Sequence, residues 1–199
     1  MDIMLDLETV DLGTNPALLQ IAAVAFNIKT GKVYSTFSIF VDYKSGLELG
    51  LTKSQSTLDW WSSQKDETKE KVWNGEPRFD TTAALINFIS WAISVSEKEK
   101  IYLWGNGIKA DNVWITSALK AAGLRDPFHY RNDMDLRTAI RLAELKLGEK
   151  IIVKNSEDYE HHNAIDDCLY QCAKLRDAWK ILNTGSGWAK LLHRLNLLT

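Results

Sequence analysis

Two carboxylates one residue apart in an otherwise apolar run, Asp6 and Glu8 within Ile3 to Val10, constrain this chain more than any other feature. The run reads as a strand, where side chains at i and i+2 share a face about 6.5–7 Å apart. Two unpaired acids there repel each other and are poorly solvated, so a cation is expected between them. Acids able to complete such a site lie downstream: Asp111, after Gly105-Asn106-Gly107, and Asp167, five residues after His162. Four carboxylates carry about four negative charges, matching two divalent cations.

The 199 residues suffice for one domain with a sizeable core, and 45% hydrophobic with 25% charged residues suits a water-soluble globular protein. A net charge of -2 excludes a protein that coats long polyanions, but not one that grips a strand end where bound cations supply the positive field. No apolar stretch approaches the roughly 20 residues of a membrane span, and Met1-Asp2 opens directly into a strand with no basic leader. A cytoplasmic protein is expected, with no membrane partner. Cys168 and Cys172, the only cysteines, read as buried thiols of a helix in a reducing compartment.

Leu18 to Phe26 and Lys32 to Asp42 read as second and third strands joined at Thr30-Gly31, an antiparallel three-strand meander. A helical stretch is expected from Leu58 to about Val72. Asp80 is expected to cap an amphipathic helix whose Ala84, Leu85, Phe88, Ile89, Ala92 and Ile93 share one face. Lys100 to Trp104 reads as a central strand, and Asp111 to Ala122, Met134 to Leu147 and Asn163 to about Leu182 as helices. Asp135 is read as a helix N-cap, and Trp188 to Leu198 as a short amphipathic helix. Three strands followed by alternating helix and strand predict an α/β fold with a mixed sheet flanked by helices. One domain is expected over 1–199.

Asp6-x-Glu8-Thr9, Asp111 after Gly-Asn-Gly, and His162-x-Ala164-x-x-Asp167 together resemble the DEDDh 3′-5′ exonucleases. That superfamily includes RNase T, oligoribonuclease and polymerase proofreading subunits. Gln20-Ile21 also matches these enzymes, and Thr57-x-x-Trp60-Trp61-x-x-Gln64 and Arg131-Asn132-x-x-Asp135-x-Arg137-Thr138 resemble a small bacterial and phage exoribonuclease-like branch. The resemblance implies an RNase H-like fold in which the antiparallel meander continues into parallel strands. It implies 3′-5′ hydrolysis of single-stranded RNA or DNA ends, releasing nucleoside 5′-monophosphates. The cofactors implied are two divalent cations, Mg2+ or Mn2+, held by Asp6, Glu8, Asp111 and Asp167. Asp6 would bridge both, Glu8 and Asp167 would complete the water-activating site, and Asp111 would hold the second ion. Tyr159 does not replace the histidine, because the fourth residue after it is Asn163 and not an acid. Relatives place a Phe where Ala110 precedes the aspartate, a departure that bears on nucleotide fit.

The chemistry agrees with these residue types. Phosphodiester hydrolysis needs an activated water and a stabilised leaving oxygen, and paired cations serve both. Carboxylates suit magnesium or manganese, and imidazole has the pKa of a general base near neutral pH, a role the motif gives to His162. Helical phase leaves Asp166 and Asp167 open, and His161 neighbours His162; the family spacing favours His162 with Asp167. Thr9, Trp60, Trp61, Asn106, Arg131 and Arg137 are candidate substrate contacts, the tryptophans by stacking and the arginines through phosphate. Only one of the adjacent Trp60 and Trp61 can point fully inward. Trp73, Trp91, Trp104, Trp114 and Trp179 are expected in the core. Two rival readings are an RNase H- or resolvase-like endonuclease and a nonenzymatic nucleic-acid-binding module of the same fold. RNA-versus-DNA preference is not encoded in these motifs, and the oligomeric state is open, a homodimer included.

Overall fold

The structure, a computed structural model, describes residues 1–153 and 163–185. The sequence-predicted features at Tyr159, His161, His162 and Trp188 to Leu198 lie outside the described residues.

Among the described residues six strands form one sheet: β1 (Asp2–Thr9), β2 (Leu18–Phe26), β3 (Val33–Val41), β4 (Arg78–Phe79), β5 (Tyr102–Gly105) and β6 (Asp133–Asp135), in the order β4-β3-β2-β1-β5-β6. The first three pair antiparallel, whereas β4 joins β3, β5 joins β1 and β6 joins β5 in parallel. This is the expected mixed α/β sheet. The hairpin turn between β2 and β3 holds Gly31 at φ 74°, a left-handed conformation that suits glycine. Every residue of β2 is buried, as its near-continuous apolar sequence requires of a strand covered on both faces.

The helices are α1 (Tyr43–Glu48), α2 (Gln55–Ser63), α3 (Asp66–Val72), α4 (Thr81–Ser96), α5 (Asp111–Ala121), α6 (Leu136–Leu147) and α7 (Ala164–Asn183). The two-residue period of β1 divides the core. Ile3, Leu5 and Leu7 face Leu85 and Phe88 of α4 and Ile115 and Leu119 of α5. Met4 faces the other way, with Ala22, Val24 and Phe26, against Leu136 of α6 and Cys168, Cys172 and Leu175 of α7. Asp6 and Glu8 continue the Met4 side of the strand, so they stand on the α7 face.

Several sequence expectations are corrected. The stretch from Leu58 to Val72 is two helices broken at Gln64 and Lys65, with the Ser62 hydroxyl on the Leu58 and Asp59 carbonyls and the Ser63 hydroxyl on that of Trp60. Such side-chain hydroxyls compete for the last helical acceptors. Asp133–Asp135 is a strand on β5 and not the start of a helix; Asp135 does cap α6, accepting from the Thr138 N–H at 2.6 Å. The pair β4 and β6, with two and three residues, is too short to carry a periodic signal, and tertiary pairing alone defines it. Asp80 caps α4 as expected, yet Ile93 is 50% exposed, so the buried face narrows to Ala84, Leu85, Phe88 and Ala92. The five tryptophans expected in the core are half-buried at its margin. There Trp91, Trp104 and Trp114 direct their indole N–H groups to Ser35 Oγ, Asp2 Oδ1 and the Gly13 carbonyl.

Candidate active site

Pairing of β1 with β5 ends at Leu5 opposite Gly105, so Asp6 and Glu8 project beyond the carboxyl end of β5, where the sheet opens. Helix α7 crosses this face. Its Cys168 is fully buried, with the thiol near the Met4 and Ala22 carbonyls, and Cys172 and Leu175 continue the same buried face. The residue before Cys168, Asp167, then turns toward the strand. Carboxylate oxygens of Asp6, Glu8 and Asp167 lie within 4.8 Å of one another. Asp166, the neighbour that helical phase left open, is not in this group. Asn163, directly after His162 in sequence, caps α7 by accepting from the Ile165 N–H at 3.3 Å.

Asp111 enters from the opposite side of the sheet as the first residue of α5. Its Oδ1 accepts from the Leu7 N–H at 3.3 Å and its Oδ2 from the Asn106 N–H at 3.0 Å, so the carboxylate ties β1 to the loop after β5. It stands outside the three-carboxylate group, yet its negative charge raises the pKa of both Asp6 and Glu8. Space here is tight. A Cβ on Gly105 would overlap Asn112 Oδ1 and lie 3.2 Å from Asp111 Cβ, so a larger residue must displace the buried Asn112 side chain. Ala110 precedes α5 without a side-chain cap bond.

Burial is the main cause of the electrostatics. It lifts the Asp6 carboxyl well above the usual carboxylate range, with Asp111 and Asp167 adding repulsion and the Gln171 amide opposing. Glu8 is raised for the same reason, then by Asp6, Asp167 and Asp111. Asp111 is pushed up to about 6 by burial, against the pull of its backbone N–H donors and Arg137. Buried acids that raise one another are unfavourable until positive charge joins them. An all-carboxylate donor set fits a hard divalent cation such as Mg2+ or Mn2+.

The other sequence candidates have distinct surroundings. The Thr9 hydroxyl donates to the Asp11 carbonyl at 2.7 Å, and the Thr9 carbonyl accepts from the Trp61 indole N–H at 2.9 Å. Trp61 is the inward member of its pair; Trp60 is 42% exposed and meets it edge-on at 4.9 Å. Asn106 Oδ1 accepts from Arg137 Nε at 3.4 Å, which puts Arg137 beside the Asp111 loop. Arg131 precedes β6 and so lies at the other end of that strand, its guanidinium over the Tyr130 ring at 5.6 Å. Gln171 was not singled out from sequence, although its spacing of four from Asp167 places both on one helix face.

A mixed sheet of this order with acids at the carboxyl end of β1 defines the RNase H-like nuclease fold of the DEDDh exonucleases, and solved structures agree. Cell-death related nuclease 4 (CRN-4) superposes with a TM-score of 0.63 at 17% identity, over 90% of this chain and 64% of that one. The chain thus spans less than two thirds of CRN-4. The nuclease domain of 3′hExo, described as a DEDDh family member bound to rAMP, gives 0.53 at 15% identity over 90% and 92% of the two chains. A 3′-exonuclease described as recognising the 3′ end of histone mRNA stem-loop gives 0.55 at 14%, over 93% and 82%. At such identities the likeness is one of fold. No curated protein matches the chain. The family model of the Rv2179c-like 3′-5′ exoribonuclease domain matches residues 1–179, and the chain belongs to this family of 3′-5′ exonucleases. The family implies dependence on divalent metal.

Proposed function

We propose that the chain removes nucleotides from 3′ ends of single-stranded RNA, releasing nucleoside 5′-monophosphates with Asp6, Glu8, Asp111 and Asp167 as its metal-holding residues. The convergence of Asp6, Glu8 and Asp167 carboxylates within 4.8 Å, from a strand and a helix about as far apart in sequence as the chain allows, carries the reading. Bound divalent cations supply activation of the attacking water and stabilisation of charge at the leaving 3′-oxygen. Asp6, Glu8 and Asp167 would hold the first ion. Asp111, with both oxygens engaged by backbone N–H groups, keeps free lone pairs for a second and fixes β1 against α5. His162 accepts the water's proton, a role that rests on the sequence spacing His162-x-Ala164-x-x-Asp167. Arg137, beside Asn106 and Asp111, is the favoured phosphate contact, and Trp60 the favoured stacking surface.

The family's description as exoribonucleases favours RNA over DNA. The same match, spanning 1–179, supports one exonuclease domain, and the two free buried thiols support a cytoplasmic setting. Among the described residues no helix is long and apolar enough to cross a membrane.

The test is a degradation ladder on 5′-labelled linear RNA and DNA and on circular single strands, with Mg2+ or Mn2+. Linear RNA should shorten from its 3′ end while circles stay intact, and Asp6→Ala should retain less than about a tenth of the activity. Nicking of circles that is lost in Asp167→Ala would overturn the exonuclease reading in favour of an endonuclease.

A further inference from the structure

We infer that Gln171 is a positioning residue whose amide holds the Asp6 carboxylate in the orientation that receives a divalent cation, an inference resting on the metal-site reading above. Gln171 lies one helical turn beyond Asp167 on α7, so one face of one helix carries both an acid and the support of another acid. It is 5% exposed, and its Nε2 donates to Asp6 Oδ1 at 2.8 Å. An ionised carboxylate only accepts, so the amide must turn its NH2 group toward Asp6.

That orientation leaves the other end of the amide, Oε1, buried without a hydrogen-bond partner among the described residues. An unpaired buried carbonyl oxygen is unfavourable, and an unbranched apolar side chain such as Met would fill similar volume without it. Packing therefore does not explain an amide at this position. The bond to Asp6 does. It takes one of about four lone-pair directions on that carboxylate, leaving the others for cations while preventing rotation away from Glu8 and Asp167. Groups that orient a metal ligand in this way typically change affinity or activity by about 10–100-fold when removed.

The experiment titrates Mn2+ into metal-free wild type, Asp6→Ala, Gln171→Met and Gln171→Leu, following free Mn2+ by electron paramagnetic resonance, and records the Tm of each in chelator. Both Gln171 variants should bind Mn2+ about 10–100-fold more weakly than wild type while the metal-free Tm changes little, because removal of the unpaired Oε1 offsets loss of the Nε2 bond to Asp6. Affinities within about threefold of wild type would overturn the inference, as would weaker binding in Gln171→Leu but not in the shape-conserving Gln171→Met, which would trace the effect to packing. If neither apolar variant folds, the packing requires the amide and the inference is also overturned. Absence of Asp6-dependent Mn2+ binding in the wild type would remove the metal-site reading itself. Intact Asp6-dependent binding shared by all but Asp6→Ala would remove only the role of Gln171.

Discussion

Metal-free protein should lose stability as pH rises through about 6, and Asp111 gives the size of the effect. Its carboxyl moves from an ordinary 3.8 to about 6 on folding, chiefly through burial. A folded-state pKa above the unfolded value means that the native protein binds more protons in this window. The stabilisation is therefore complete below about pH 3.8 and is lost as pH rises past about 6. At about 1.4 kcal/mol per pKa unit, the shift corresponds to about 3 kcal/mol, most of which disappears between pH 4 and pH 7. Asp111→Asn isolates this contribution. The amide has one acceptor oxygen for the two N–H groups of Leu7 and Asn106, a pH-independent loss of about 1–3 kcal/mol. The advantage of wild type over the variant should then shrink by about 2–3 kcal/mol from pH 4 to pH 7 in urea titrations of metal-free protein. Relief of Asp6 in the variant adds in the same direction, since Asp111 raises Asp6. Saturating Mn2+ should reverse the trend, because cations and protons compete for the same carboxylates. A difference between the two metal-free proteins that stays flat, or grows with pH, refutes the reasoning.

Two further outcomes are expected. His162→Ala should slow turnover by about 10²–10⁴-fold while His161→Ala stays near wild type, with part of the lost rate returning at higher pH; a pH-rate profile in which His161→Ala is the damaged protein would reassign the third motif. Gly105→Ala should destabilise the protein by about 1–3 kcal/mol, because its Cβ must displace Asn112 Oδ1 and crowd Asp111; an unchanged urea midpoint would show that this corner can yield.

Features set by neighbours along the chain were legible in the sequence. The period of β1, the continuous apolar β2, the Thr30-Gly31 turn and the caps at Asp80 and Asp135 all depend on interactions within a few residues, so their residue types announce them. The acids Asp6 and Glu8 were legible for the same reason: a charged pair in an apolar strand is conspicuous wherever that strand ends up. Decisions made across the sheet were not. Motif spacing selected Asp167 but helical phase left Asp166 equally open, and it is burial of Cys168, Cys172 and Leu175 against the sheet that turns Asp167 toward Asp6 and Glu8. The same crossing brings Gln171 to Asp6, while packing on the other face of the sheet turns Trp61 inward at the Thr9 carbonyl, and β4 and β6 are defined only by their partners β3 and β5. Helical phase names two candidate faces about 100° apart per residue, and only the surface that the helix packs against chooses between them.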